Sequence, residues 1–167
     1  MLRVVCTHAK KVGGEIEIGI AEHAITFRLV DRCTYSSGLI EGTFPNWRQL
    51  MPDTYENTLT VDPDTFLAAL VSVGMLARES SPVKIELNGV VKLIASSPDL
   101  GTSAMELTTA TWDGPDMVAA FNPQYLGDAL KISRGGKLHI RDGLTPALVE
   151  GDVTSLVMPV RLPTHIG

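Results

Sequence analysis

The chain contains few side chains of the kinds that bind metals or act as nucleophiles, acids and bases. Its four histidines and two cysteines show no spacing that is typical of a metal site or a catalytic pair. The histidines are His8, His23, His139 and His165. Cys6 and Cys33 are predicted to be small buried hydrophobic residues in a reduced compartment. We therefore expect no metal and no cofactor.

Other catalytic signals are weak as well. Asp62 and Asp64 resemble a carboxylate pair, but helix capping and a favourable first-turn dipole explain both residues. The sequence has no nucleophile-elbow motif, no phosphate-binding glycine loop and no dinucleotide fingerprint. An enzyme on an unrelated α+β fold would need a cluster of polar residues that the sequence does not show. We predict a protein that binds partners and is not an enzyme.

Composition limits what those partners can be. The net charge of −5 argues against a broad basic surface for nucleic acid, although it does not exclude local basic patches. No apolar run approaches the roughly 18 residues that a membrane-spanning helix needs, and the N-terminus does not resemble a secretory signal. These features predict a cytoplasmic protein with no membrane partner.

An internal repeat predicts the elements that position a binding surface. Asp62-Pro63 and Asn122-Pro123 each place a capping side chain before a proline, which is typical of a helix start. The apolar period predicts helices over 65–77 and 124–131, the second ended by Gly135-Gly136. The residues predicted to face the core are Phe66, Leu70, Val73 and Ala77 in the first helix, and Leu126, Ala129 and Leu130 in the second.

Each helix is followed by a predicted hairpin and a further strand. Asn88-Gly89 and Asp142-Gly143 are predicted to form two-residue type I′ turns. The further strands are expected over 103–112, with Met105, Leu107 and Thr109 on one face, and over 156–162. A unit of helix, hairpin and strand, present twice, predicts an α+β fold with one complete domain.

The first 44 residues contain only part of such a unit. Alternating apolar residues predict strands over 16–20 and 25–29, and a further strand spans 33–40. No capped amphipathic helix precedes them, so we expect a partial unit whose helix is missing. The predicted organisation is a partial domain with its connector over 1–52, a complete domain over 53–162 and a tail over 163–167.

Four segments in the same order carry a family resemblance. Residues 44–52, beginning Phe44-Pro45-Asn46-Trp47-Arg48, resemble the connector Phe-Pro-Asp-Tyr-Arg-x-x-x-Pro of the bacterial DNA polymerase III beta subunit, the sliding clamp. Residues 121–130, 146–149 and 157–162 are similar to three further motifs of that family. The resemblance implies the DNA clamp fold, in which two helices are backed by antiparallel strands. In that family three such domains per chain, and two chains, close a ring around double-stranded DNA.

The resemblance also implies a site. Clamps of this family hold DNA polymerase and repair proteins through peptides of the Gln-Leu-x-Leu-Phe kind, which enter a hydrophobic cleft. Carried over by position, the cleft residues are Pro45, Leu50, Asn122, Tyr125, Pro146, Leu156, Met158, Pro159, Val160 and Arg161. Periodicity alone predicts that Leu156, Met158 and Val160 belong to the core. The family segment Thr-Asp-Gly-His-Arg-Leu is absent, so we expect only half of the cleft, which the tail could cover.

Two functional hypotheses follow from the resemblance. The first is a sliding-clamp-like processivity factor, or a fragment of one, in DNA replication. The second is a truncated clamp paralogue that binds the same peptides as a decoy or regulator without encircling DNA. Residues that could face DNA are Arg78, Lys131 and Arg134. An unpaired sheet edge leaves a homo-oligomer possible.

Overall fold

A computed structural model describes residues 1–51, 54–75 and 81–162. The chain divides into two compact units, Met1–Pro45 and Asn46–Gly167, which we call the first and second units. Their boundary precedes the predicted one at residue 52, and a short 3-10 helix at Trp47–Leu50 belongs to the second unit. Among the described residues, no helix is both long and apolar enough to span a lipid bilayer.

The first unit is a helix followed by a three-stranded antiparallel sheet in the order β1-β2-β3. Its elements are α1 (Leu2–Val12), β1 (Ile16–Ile20), β2 (Ala24–Leu29) and β3 (Thr34–Gly38). The strands agree with the alternation, but the prediction of a missing helix is wrong. Met1 precedes α1 and makes no capping hydrogen bond with its side chain, so the helix start carries no local signal.

The core of the first unit is small. Val5 of α1 is buried against Phe27 and Leu29 of β2. The antiparallel register places Ile18 opposite Phe27, on the same face of the sheet, yet Ile18 is 56% exposed. Because β1 lies at the sheet edge, α1 covers only part of this apolar face. The first unit therefore buries little apolar surface for its length.

The two cysteines differ from their predicted burial. Both Cys6 and Cys33 are exposed. Cys6 follows the buried Val5, and one step along a helix turns a side chain away from the buried stripe. Cys33 lies in the connection between β2 and β3, outside the packed face of the sheet. Neither cysteine serves as a core hydrophobic residue.

The described residues of the second unit form two α-helices, the 3-10 helix and two antiparallel sheets, which confirms the predicted α+β class. One sheet has the order β12-β11-β10-β4-β8 and the other β7-β6-β5-β9. The elements are β4 (Thr58–Thr60), α2 (Pro63–Gly74), β5 (Val83–Leu87), β6 (Val91–Ser97), β7 (Gly101–Leu107), β8 (Thr111–Asp113), β9 (Met117–Phe121), α3 (Pro123–Ser133), β10 (Lys137–His139), β11 (Ala147–Glu150) and β12 (Ser155–Val157).

The two halves of the second unit exchange strands. The strand before each helix joins the sheet of the other half: β4 pairs with β10, and β9 pairs with β5. Neither β4 nor β9 was predicted, because the partner of each strand lies far away in the sequence. Helices α2 and α3 contact each other and pack on these sheets. The exchange therefore produces one continuous hydrophobic core.

Both predicted helix starts are present. The Asp62 carboxylate accepts hydrogen bonds from the Thr65 hydroxyl at 2.6 Å and from the Thr65 backbone N–H at 2.9 Å, and both bonds lower the pKa of Asp62. Helix α2 buries Phe66, Leu70 and Val73 as predicted. The predicted core residue Ala77 lies outside the described residues. Helix α3 continues two residues past its predicted end, to Ser133.

The two predicted type I′ turns are wrong. Leu87 pairs with Val91, so Asn88-Gly89 belongs to a three-residue loop in which Gly89 has a positive φ and Asn88 does not. At the second turn, Asp142 accepts hydrogen bonds from the N–H groups of Leu144 and Thr145. Such a side-chain turn needs no positive φ and suits the longer connection to β11.

The predicted strand over 103–112 is interrupted. β7 ends at Leu107, and a turn closed by the Ala110 N–H and the Leu107 carbonyl leads into β8, which belongs to the other sheet. Of the residues predicted to share a buried face, Leu107 is buried, whereas Met105 and Thr109 are exposed. The break is needed because β8 pairs with β4.

Glycines 135 and 136 do not end α3 through a left-handed conformation. That conformation belongs to Arg134, whose φ is 51°. A Cβ atom on Gly135 would overlap the carbonyl oxygen of Glu150, and one on Gly136 would overlap that of Val61. These glycines are therefore required because the end of α3 passes directly against neighbouring backbone.

We predict opposite effects for two Gly→Ala substitutions. Gly135→Ala should lower the free energy of unfolding by at least about 2 kcal/mol, because backbone must move to accept the methyl group. Gly127→Ala is the matched control, since its Cβ would lie 3.5 Å from Leu67 Cδ2, an ordinary contact. It should stabilise α3 by up to about 1 kcal/mol. Urea unfolding followed by circular dichroism measures both, and equal stabilities would contradict the assignment.

Candidate functional site

The candidate site is built on α3 and on the chain that continues from β12. At one end of α3 the Ser133 hydroxyl donates a hydrogen bond to the Ser155 hydroxyl at 3.1 Å. At the other end, Phe121 pairs with Pro159, and the Val160 N–H donates to the Ala120 carbonyl at 2.7 Å. Helix and extended segment therefore run side by side in opposite directions.

This arrangement brings Tyr125 level with Met158. Tyr125 lies about 12 Å along the helix from Ser133, at 1.5 Å per residue. Met158 lies about 10 Å along the extended chain from Ser155, at 3.3 Å per residue. The side chains are 67% and 56% exposed, respectively. Two large apolar groups are thus presented to solvent at a similar level along the helix and the adjacent segment.

The alternation of β12 decides which residues are available. Val157 is 4% exposed and belongs to the core, so its neighbour Met158 points outward. Leu156 and Val160 are half-buried. The expectation from periodicity, that Leu156, Met158 and Val160 form the buried face, is wrong for Met158 because the buried face belongs to Val157. The structure therefore leaves the Met158 side chain exposed to solvent.

Two polar residues, Asn122 and Arg161, lie three positions from Tyr125 and Met158 along the chain. The Asn122 side-chain oxygen accepts hydrogen bonds from the N–H groups of Gln124 at 2.9 Å and Tyr125 at 3.2 Å. Only the amide nitrogen of Asn122 remains for a ligand, and its cap fixes the first turn that carries Tyr125. Arg161 is exposed, and among the described residues it forms no ion pair. An arginine and an amide can orient a bound peptide.

Pro146 has a structural position. It is buried, and its carbonyl oxygen accepts a hydrogen bond from the Tyr55 hydroxyl at 3.3 Å. Burial also raises the pKa of Tyr55. The preceding turn is held by Asp142. Burial alone would raise the pKa of that carboxyl, but the N–H donors of Leu144 and Thr145 lower it on balance.

The same loop carries an exposed apolar side chain that sequence reasoning missed. Leu144 is 66% exposed. The loop lies against β9, since a Cβ on Gly143 would meet the Val118 carbonyl oxygen at 2.6 Å. In the sequence, the only sign of this exposed side chain was a leucine within an otherwise polar turn.

Two predicted cleft residues are not joined to this surface by the contacts just described. Leu50 is 48% exposed in the 3-10 helix, beside Trp47, whose ring is covered by the Arg48 guanidinium at 4.4 Å. Pro45 belongs to the first unit. Their part in a binding site stays a prediction.

The residues predicted to face DNA have acidic neighbours. Lys131 and Asp128 line the same groove between α2 and α3. Arg134 lies 3.9 Å from an oxygen of Asp152. Arg78 lies outside the described residues. These acidic neighbours therefore reduce the positive potential around Lys131 and Arg134.

Comparison with known proteins identifies relatives of the chain. Residues 48–165 match the model of a family described as the DNA polymerase III beta subunit, C-terminal domain. The beta sliding clamp of Staphylococcus aureus is 31% identical over 156 residues, which cover 88% of this chain and 41% of the relative. The chain thus spans about two fifths of the length of this relative.

Solved structures show the same fold. A DnaN sliding clamp from Bartonella birtlesii, bound to griselimycin, superposes with a TM-score of 0.76 at 25% identity and covers 94% of this chain and 44% of that one. The pol III beta of Caulobacter crescentus gives a TM-score of 0.77 at 24% identity and covers 95% and 45%. These matches confirm the predicted clamp fold.

We predict that Asn122 contributes to stability as a cap. Asn122→Ala should lower the free energy of unfolding by about 1 kcal/mol, because two N–H groups at the start of α3 lose their acceptor. Asn46→Ala is the matched control, since Asn46 precedes the 3-10 helix without a side-chain capping bond. It should change stability by less than about 0.5 kcal/mol. Similar losses in both variants, measured by urea unfolding, would refute the capping role.

Proposed function

Because the chain belongs to the family of C-terminal domains of the DNA polymerase III beta subunit, we propose that it is a non-catalytic clamp protein of DNA replication that binds DNA polymerase and repair proteins through short peptides. The observation that carries this proposal is the exposed pair Tyr125 and Met158. Their backbone is held by pairing to β9 and by the Asn122 cap. A peptide would therefore meet a surface that is already formed.

The chemistry of the surface suits leucine and phenylalanine anchors. The Met158 side chain is flexible and polarisable, and the Tyr125 ring offers a flat apolar face with a polar tip. Half-buried Leu156 and Val160 supply apolar area beside them. The Arg161 guanidinium and the Asn122 amide donate hydrogen bonds and so favour peptide carbonyl or carboxylate groups. A peptide of the Gln-Leu-x-Leu-Phe kind matches this combination.

We predict that such a peptide binds through this pair. A fluorescently labelled Gln-Leu-x-Leu-Phe peptide should bind saturably, and Tyr125→Ala or Met158→Ala should each weaken binding about 30-fold, as expected for a loss of about 2 kcal/mol at an anchor contact. Fluorescence anisotropy measures the affinity. Met105→Ala is the matched control, because Met105 is partly exposed on β7, in the other sheet.

The outcome is decisive in two ways. No saturable binding to the folded wild-type chain at high protein concentration would remove the peptide surface from the proposal. An equal loss in Met105→Ala would show a general effect on the fold and not a local contact. Circular dichroism spectra of all variants confirm that each one is folded.

A second candidate function is a decoy or regulator that binds the same peptides without encircling DNA. The charge of the helices favours it, since the described residues of α2 and α3 carry Asp64 and Asp128 against the single amine of Lys131. A helix face of this composition offers little attraction to phosphate groups.

The two candidates predict different behaviour in solution. A decoy should remain at the mass of one chain, 18.0 kDa, in light scattering and should not be retained on circular DNA. A processivity factor should assemble into a larger species, and its retention on circular DNA should be lost when the DNA is cut. Retention that survives linearisation would indicate ordinary DNA binding and would contradict both candidates.

A further inference from the structure

Three side chains with different metal-binding atoms meet in the first unit. His8 lies on α1, whereas Asp31 and Cys33 lie in the connection between β2 and β3. One ligand atom from each lies within 4.8 Å of the other two. His8 Nε2 is 2.8 Å from Asp31 Oδ2. The fold therefore assembles an imidazole, a carboxylate and a thiol that the sequence keeps apart.

We propose that His8, Asp31 and Cys33 form a zinc site. An imidazole nitrogen, a carboxylate oxygen and a thiolate sulfur are the three ligand types that Zn²⁺ takes, at distances of about 2.0 to 2.3 Å. The sulfur and nitrogen ligands disfavour Ca²⁺ and Mg²⁺, which prefer oxygen. With three protein ligands, a water molecule completes the tetrahedron. The proposal is independent of the peptide surface.

The surroundings hold two of the ligands in position. His8 Nδ1 is 2.6 Å from the Tyr35 hydroxyl, and the two rings meet edge to face. With zinc on Nε2, the Nδ1–H donates to the Tyr35 oxygen, which fixes the tautomer and the orientation of the ring. Asp31 Oδ1 accepts a hydrogen bond from the Cys33 N–H at 3.1 Å, so Oδ2 faces the metal.

Binding rearranges protons without any redox change. In the metal-free chain His8 Nε2 lies within hydrogen-bonding distance of Asp31 Oδ2, whereas zinc on Nε2 requires that this nitrogen carry no proton, so the ring proton then sits on Nδ1. Partial desolvation raises the pKa of the exposed Cys33 thiol, as does the neighbouring Asp31 carboxylate. The thiol proton therefore passes to solvent when the Zn–S bond forms.

A zinc site would add stability to the first unit, whose hydrophobic core is small. All of residues 1–45 are described, and the buried hydrophobic residues among them are Val5, Phe27 and Leu29. Units with so small a core usually depend on a metal, a disulfide or association. A zinc ion held by His8 and by the β2–β3 connection would join α1 to its sheet.

Cobalt substitution tests the ligands directly. The 167-residue chain should bind Co²⁺ with visible absorption typical of tetrahedral coordination and a thiolate charge-transfer band in the near ultraviolet. Cys33→Ser should abolish the charge-transfer band, and His8→Gln should reduce the visible absorption. Cys6→Ser and His23→Gln are the matched controls and should leave both bands unchanged. A charge-transfer band that is lost in Cys6→Ser but kept in Cys33→Ser would overturn the assignment.

A second measurement leaves all three proposed metal-binding residues unchanged. Zn²⁺ should protect Cys33 of the wild-type chain from iodoacetamide, while Cys6 remains reactive, as read by mass spectrometry of the labelled peptides. Tyr35→Phe keeps all three ligands and should weaken zinc binding about tenfold, because an outer-shell partner is lost. Equal labelling of Cys33 in the folded wild-type chain with and without zinc would contradict the proposal.

Discussion

The pairing of β9 on both of its edges is the constraint on which the second unit depends. One edge of β9 is bonded to β5, and the other meets Pro159 and Val160. The same strand leads into the cap of α3 at Asn122. Its position therefore determines where α3 starts and how the chain leaves β12. β9 is the strand that the second half of the unit contributes to the sheet of the first half. Without it, no single strand would hold both the start of α3, which carries Tyr125, and the segment that carries Met158.

The proposed binding surface differs in composition from a catalytic centre. The backbone groups are satisfied by strand pairing and capping, and the apolar side chains beneath, such as Val157 and Leu126, are buried in the core. What remains on the surface is apolar area with a few hydrogen-bond donors at its border. That composition suits the reversible capture of a short peptide, because anchor side chains can be desolvated without leaving charges unpaired.

The first unit also has a helix and a hairpin, but its sheet contains no strand exchanged with another half, and its apolar face is less well covered. In β5 every core-facing residue, such as Ile85, is fully buried, whereas Ile18 at the comparable place in β1 is 56% exposed. Both hairpins are antiparallel and pair these residues with an apolar partner, Ile18 with Phe27 and Ile85 with Leu93, so the difference lies in what covers the sheet. A unit with so little burial has most to gain from a metal held between His8 and the β2–β3 connection.

Local features could be predicted from the amino-acid sequence: the capped starts of α2 and α3, the alternating strands, and the motifs that resemble the clamp family. Caps and alternation depend on residues a few positions apart. The remaining features arise in the folded chain. The helix α1 has no capping side chain, β4 and β9 have distant partners, and the outward direction of Met158 depends on which neighbour enters the core. His8 meets Cys33 only because α1 lies on the sheet. Such contacts depend on long-range pairing, which no short stretch of sequence specifies.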